Sequence, residues 1–319
     1  MRRSSMAYNG AMNAHTITHR LMAGEADFWR MRDLLVASVE NTPLGLTWDI
    51  RRLEGKRFYN ADPAADDLLV RPVALWEDAG ELVGFVVAES ACDAHLQVHG
   101  DYRHLEEEMI AWSEENLAAG VPGTSQRQIE IYVYDVDVLR QRLLAGRGYV
   151  KMDMWGMLRR IRLGKGPLAQ PQAPPGYTLR TTRPRDLAEC ARMADLLNAA
   201  FGRTFHNAQE YHNFAMHAPC FRPELDLVAE ALDGSLAAYI GIPYDAVNRR
   251  GIFEPVCTHP DHRRRGLAQA LMQEGLLRLR ELGAVDATVD TGDMTPANRF
   301  YDSMGFTEAY RGVTWRKLW

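Results

Sequence analysis

The sequence contains no apolar run near the roughly 18 residues needed to cross a bilayer, few cysteines, and no strong excess of charge of either sign. Each absence narrows the reading. The opening Met1-Arg-Arg-Ser-Ser-Met-Ala-Tyr-Asn9 also lacks the apolar core of a secretion signal, so no membrane partner is expected and residues 1–14 read as a disordered tail. Cys92, Cys190, Cys220 and Cys257 stand far apart, and none forms a C-x-x-C pair or the spacing of a zinc site. Reduced thiols in a cytoplasmic protein, with no metal, are the expectation. A formal charge of −5 supplies no global pull toward nucleic acid, which is therefore not an expected partner. What is present is the composition of an ordinary globular chain, 46% apolar and 25% charged over 319 residues, long enough for two domains.

Residues 164–176 carry four prolines and three glycines without periodicity and read as an extended linker. They divide a first domain, 15–163, from a second, 177–319. In the second, Tyr177 to Thr181 is a strand, and apolar residues at helical spacing from Arg185 to Phe201 follow Asp186. Asp226–Leu232 and Leu236–Ile242 flank Asp233-Gly234, whose tolerance of positive φ at both positions predicts a hairpin. A strand from Gly251 to Thr258 leads through a basic loop into a helix from Leu267 to Leu282, closed by Gly283. Ala287 to Thr291 is a short strand, and Thr295-Pro296 opens a helix through Ser303. The order of strands and helices reads as an α/β fold class. The halves also repeat: Gly80–Phe85 falls on Gly234–Tyr239, Val98–Arg103 on Thr258–Arg263, and Gly148-Tyr149 on Gly305-Phe306.

The segment Arg263-x-x-Gly266-x-Ala268 lies between a strand and a helix, where backbone amides and the helix dipole can cradle a phosphate. A solvated basic turn is the alternative. Taken with the preceding Thr258-His-Pro-Asp-His and the later Ala297-Asn-Arg-Phe-Tyr-Asp-Ser-Met-Gly-Phe306, the second half resembles the GNAT acyltransferase superfamily. The first half resembles it more faintly, which suggests two tandem GNAT-like domains, as in mycothiol synthase. The resemblance implies a mixed sheet splayed between the strand ending at Thr258 and the strand near Ala287–Thr291, with acetyl-coenzyme A in the gap. It places the pantetheine arm along Val256, Cys257 and Thr258, the pyrophosphate on Arg263, Arg264, Arg265, Gly266, Leu267 and Ala268, and a further coenzyme contact at Asn298. Met294 stands where many members carry an asparagine.

Acetyl transfer to an amine poses two proton problems. An alkylammonium with a pKa near 10.4 must lose a proton, and a thiolate with a pKa near 8.5 leaves more readily with one. Tyr301 occupies the family's general-acid position. Glu254 is the candidate base, displaced by two residues from Ile252, where some members carry a glutamate, and so on the same face of a continuous strand. Structural pairing of Glu254 with an arginine is the alternative. His259 and Asp290 are weaker base candidates, and Cys257 reads as a packed small residue.

In the first half, Glu106 and Glu108 stand at the positions of Gly266 and Ala268, and Leu144 at that of Tyr301, so that copy reads as degenerate, its glutamates a solvated first helical turn. It would buttress the second half or shape its acceptor cleft. The acceptor is expected to meet His206, Glu210, Tyr211 and Asp245 on the loops 202–212 and 243–249. His206, His212 and His217 do not share one helical face, which argues against a metal. The expected activity is acetylation of a primary amine on a small molecule by direct attack in a ternary complex, by a monomer or homodimer. Alternatives are a regulator that binds acetyl-coenzyme A without turnover, a mycothiol synthase-like, aminoglycoside-type or protein N-acetyltransferase, and a tandem relative that takes aminoacyl groups from transfer RNA.

Overall fold

The computed structural model describes residues 17–41, 47–62, 70–292 and 295–319; the expected tail over 1–14 and Met294 lie outside the described residues. The first half runs β1 (Ile17–Leu21), α1 (Glu25–Asn41), α2 (Ile50–Phe58), β2 (Ala74–Asp78), β3 (Glu81–Val87), β4 (Asp93–Val98), α3 (Glu106–Asn116), β5 (Ala119–Gly120), β6 (Arg127–Tyr134), α4 (Val138–Gly146) and β7 (Val150–Arg162). The second runs β8 (Tyr177–Thr181), α5 (Leu187–Phe201), α6 (Ala208–His217), β9 (Asp226–Ala231), β10 (Leu236–Gly241), β11 (Tyr244–Asp245), β12 (Arg250–Ile252), β13 (Val256–Thr258), α7 (Leu267–Glu281), β14 (Asp286–Gly292), α8 (Thr295–Ser303) and β15 (Glu308–Leu318). Residues 164–176 form no helix or strand.

Local chemistry sets the helix ends. Asp186 caps α5 through Ala188 N, and Asn207 with Glu210 forms a capping box on α6. The hairpin between β9 and β10 forms, but only Gly234 takes positive φ, and Asp233 instead accepts from Ser235 N at 3.0 Å. The connection is therefore a four-residue loop rather than a two-residue turn. The repeat is visible in detail. His99 and His259, each just past a corresponding strand, both accept a hydrogen bond at Nδ1 from the amide two residues on, at 3.3 Å.

Two sheets result. One holds β13, β10, β9 and β8; the other has eleven strands, with the order β4-β6-β15-β7-β14-β12 across its centre. Thus β7, the last strand of the first half, pairs antiparallel with β14, and β15, the last of the second, pairs with β6, while β7 and β15 pair with each other. The halves exchange their final strands. A shared core seals the junction: Phe28, Leu35, Trp48 and Leu53 of the first half pack with Phe214, Cys220 and Ile252 of the second. Glu54, fully buried, accepts from Arg32 at 2.6 Å and from Cys220 N at 2.7 Å across that junction.

Candidate functional site

The strand expected over 251–258 is broken. Phe253 N still donates to Thr288 O on β14, whereas Glu254 N donates to Gly241 O beside β10, so the chain changes sheets between these two residues. β12 stays with β14 and β13 follows β10, which opens a wedge between β13 and the end of β14. The same break overturns the shared-face argument for residues 252 and 254. Ile252 is buried against the first half, while the Glu254 side chain is 31% exposed in the wedge. Pro255 O and His259 N bond toward β10, so strand alternation turns the backbone groups of Val256 and Thr258 to the open edge. Cys257 points the other way, buried with Cys190, Met193 and Tyr239, and burial pushes its thiol up to about 12.

At the far end of β13, Arg264 and Gly266 take φ of +63° and +81°, and no side chain caps α7. Alternating left-handed residues before an uncapped helix form a concave amide nest suited to an anion. The Leu267 side chain is buried in the core beneath it. Arg263 donates to Thr258 O and Ala200 O, and Arg265 to Tyr177 Oη and Asp261 O, so both brace the loop; Arg264 has no partner among the described residues. His259 spends its ring nitrogen on the Asp261 amide and is not placed as a base.

Tyr301 on α8 is 7% exposed, and its hydroxyl makes no hydrogen bond among the described residues. Burial, reinforced by Glu254, Cys257 and Asp290, pushes its pKa up to about 12. Asn298, one turn earlier, accepts from Arg159 Nε at 3.0 Å and donates to Gly292 O at 3.2 Å. Its amide is thus committed to the scaffold rather than turned to the wedge. Arg159 also donates to Phe306 O at 3.1 Å, so the exchanged strand β7 holds α8 on both sides of Tyr301.

The first half reaches into the wedge through α2. Arg51 Nη1 lies 2.9 Å from Glu254, and Arg52 lies 3.2 Å from Asp290 and 3.4 Å from Glu89. Glu254 is therefore arginine-paired while still facing solvent. Burial, with Glu254 and Asp49 nearby and Arg52 opposing, pushes Asp290 up to about 6. Two cavities meet at Glu254, Arg52 and Glu89. One, of about 370 Å³, runs between α2 and the second half and is floored by Asp226, Tyr211 and Tyr239. The other, of about 450 Å³, is bordered by Asp93, His95, Glu130, Asp290 and the end of β14. Sequence reasoning had no signal for Arg51 or Arg52, because their partners lie about 200 residues away.

Of the expected acceptor residues, His206 and Tyr211 line the first cavity. Glu210 sits behind His206, 3.3 Å from its ring, and caps α6. Asp245 does not belong to this cavity: it is buried and accepts from the Val247 and Asn248 amides, closing a turn. Asp226, read in the sequence only as a strand residue, takes hydroxyl hydrogen bonds from Thr182, Tyr211 and Tyr239, and burial still pushes its pKa up to about 6. Glu89, Asp93 and His95 bring one ligand atom each within 4.8 Å of one another, but His95 and Arg52 already pair these carboxylates. In the first half, Glu106 is not solvated as expected. It is fully buried and gripped by Arg103 and by Arg140 Nε at 2.8 Å, so an internal carboxylate occupies the start of α3 where α7 begins with a bare glycine.

Residues 190–306 match the acetyltransferase (GNAT) family model. Streptothricin acetyltransferase of Streptomyces lavendulae is 34% identical over 80 residues, which cover 25% of this chain and 42% of that protein. Two solved structures share the fold over nearly the whole chain. A GCN5-related N-acetyltransferase from Sphaerobacter thermophilus aligns with a TM-score of 0.61 at 22% identity, covering 94% of this chain and 95% of its own. A tandem GNAT protein from the clavulanic acid biosynthesis pathway aligns with a TM-score of 0.64 at 16% identity, covering 95% and 98%. Residues 190–306 are thus similar to the GNAT acetyltransferase family, and the chain as a whole shares the fold of these two solved structures.

Proposed function

We propose that the chain transfers the acetyl group of acetyl-coenzyme A to a primary amine of a small molecule, by direct attack at a single site in the second half. The observation that carries this reading is the wedge itself. It has an open strand edge at Val256 and Thr258, an uncapped helix with a left-handed nest at Arg264–Gly266, and a phenol and a carboxylate near its apex. These residues fit the coenzyme: amides of 264–268 suit the pyrophosphate, and a Cβ at Gly266 would approach nothing closer than Pro174 Cγ, at 3.9 Å. The bound thioester would supply the activated acetyl group.

Glu254 accepts the proton that the ammonium must shed, a step that costs about 5 kcal/mol at pH 7 without a base. Tyr301 keeps its proton at neutral pH. With its pKa near 12, complete transfer to a thiolate of pKa near 8.5 is uphill by about 5 kcal/mol. Its role is therefore to donate a hydrogen bond to the departing sulfur as charge develops. The first half, with Glu106 inside its own anion cradle, contributes Arg51 and Arg52 to the acceptor side instead of binding a second coenzyme.

The test is thiol release from acetyl-coenzyme A across a panel of amines, amino sugars and amino acids, with calorimetry of coenzyme binding. One coenzyme per chain and release with at least one amine are expected. Tyr301→Phe lowers turnover about 10²-fold with coenzyme affinity retained. Tight binding with no release for any amine would refute the reading.

A further inference from the structure

The charges around the acceptor cavity do not cancel. Its cationic side chains are Arg51, Arg52, Lys56, Arg203 and Arg222, against the carboxylates Glu89, Asp226 and Glu254. Arg51 is matched by Glu254, Arg52 by Glu89 and Asp290, and Arg222 by Glu224 at 2.8 Å. Asp226 is committed to three hydroxyls. Among the described residues, Lys56 and Arg203 are left without a carboxylate. Lys56 reaches only the Glu89 carbonyl, at 3.5 Å. Arg203 lies over the rings of Phe201 and Phe205, at 5.0 and 5.5 Å, and contacts the His206 ring at 3.4 Å. A guanidinium stacked in this way keeps its remaining N–H groups available to a planar acid. The same cavity is also lined by the aromatic rings of Tyr59, Phe214 and Phe221.

Resting on the acetyl-transfer reading above, we infer that the acceptor is an amine that also carries a carboxylate on an apolar body, as an aromatic or aliphatic amino acid does. Its amine lies toward Glu254, its apolar part against Tyr59, Phe214 and Phe221, and its carboxylate against Lys56 and Arg203. The first half thereby sets specificity, since Lys56 and Tyr59 come from α2 and the turn after it. An acceptor lacking the acid leaves two cations unanswered, and a polycation meets them with like charge.

The experiment compares L-phenylalanine and L-leucine with phenethylamine and isoamylamine, which lack only the carboxylate. Thiol release and direct calorimetric binding are measured for the full chain and for Lys56→Ala and Arg203→Ala. We expect kcat/KM at least tenfold higher for the acids. Each variant should raise KM for the acids about tenfold with kcat unchanged, and leave the decarboxylated amines nearly unaffected. Equal or better use of the plain amines, or variants that weaken both classes alike, would overturn the inference while acetyl transfer stands. If no compound releases thiol, calorimetry decides: acids that bind the parent chain but not the variants support the pocket assignment and leave only the catalytic reading to fail, and acids that do not bind overturn it. Unchanged melting temperatures identify variants that have kept the fold.

Discussion

The role of Glu254 is open to a sharp test because its two readings, base and arginine partner, respond differently to pH. In Glu254→Gln the amine must attack from its free-base fraction. At pH 7 that fraction is about 1 in 2,500 for a pKa near 10.4, equivalent to about 5 kcal/mol. A positioned base typically recovers 10²–10⁴ of such a barrier, so kcat/KM at pH 7 should fall about 10²- to 10³-fold. The deficit should then shrink about tenfold per pH unit and vanish near pH 10. The substitution also strands Arg51, which lies 2.9 Å from Glu254, but the two side chains are 30% and 31% exposed, so the lost pair is worth at most about 1 kcal/mol. That is about a fivefold effect with no steep pH slope. The double variant Arg51→Gln/Glu254→Gln separates the causes: if the stranded guanidinium is responsible, removing it restores the rate. A thiol-release assay from pH 6.5 to 10 reads all three proteins. A pH-independent loss, or recovery in the double variant, would refute the assignment of Glu254 as base.

Gly266→Glu copies the first half's Glu106 into the nest. A carboxylate about 4 Å from a phosphate costs about 4 kcal/mol at an effective dielectric of 20, so coenzyme affinity should fall about 10³-fold. Gly266→Ala, strained only by φ of +81°, should retain most binding; calorimetry showing affinity kept in the glutamate variant removes the nest from the site. Arg159→Ala releases both Asn298 and the Phe306 carbonyl from β7 and should lower kcat about tenfold at constant coenzyme affinity. Undiminished kcat would show that Tyr301 is placed by α8 packing alone. Asp226, whose folded pKa near 6 exceeds the ordinary 3.8, binds a proton between about pH 4 and 6 that the unfolded chain does not. Its contribution to stability therefore falls as pH rises through that window, by about 3 kcal/mol in all. Melting temperatures of Asp226→Asn should lack this part of the pH dependence, and an identical profile in parent and variant would contradict it.

Elements whose signal is local were legible in the sequence. The strand Tyr177–Thr181 and the helices ending at Phe201 and Ser303 lie where periodicity and capping residues placed them. The α/β class followed from their order, and the mixed sheet from the family resemblance. What depends on tertiary contact was not legible. The change of sheets after Phe253 was not read from the sequence, although Pro255, which cannot donate to a strand ladder, stands beside it as a local signal. Asp245 reads as a polar loop residue until its turn amides are seen, and Glu106 as a surface glutamate until Arg140, 34 residues on, is seen to reach it. The α2 arginines carry no motif, and only the packing of the halves joins them to Glu254 and Asp290.

The exchange of strands gives residues 308–318 an unusual responsibility. Residues 308–318 lie near the middle of the larger sheet, with β6 of the first half on one side and β7 on the other. During synthesis β6 emerges some 180 residues before β15, so the edge of β6 that β15 fills stays unmatched until residues 308–318 leave the ribosome. A protein made in this order completes its earlier half last. A truncation before residue 308 would open the sheet of the first half, and a cut in the linker 164–176 would leave two fragments still interlocked.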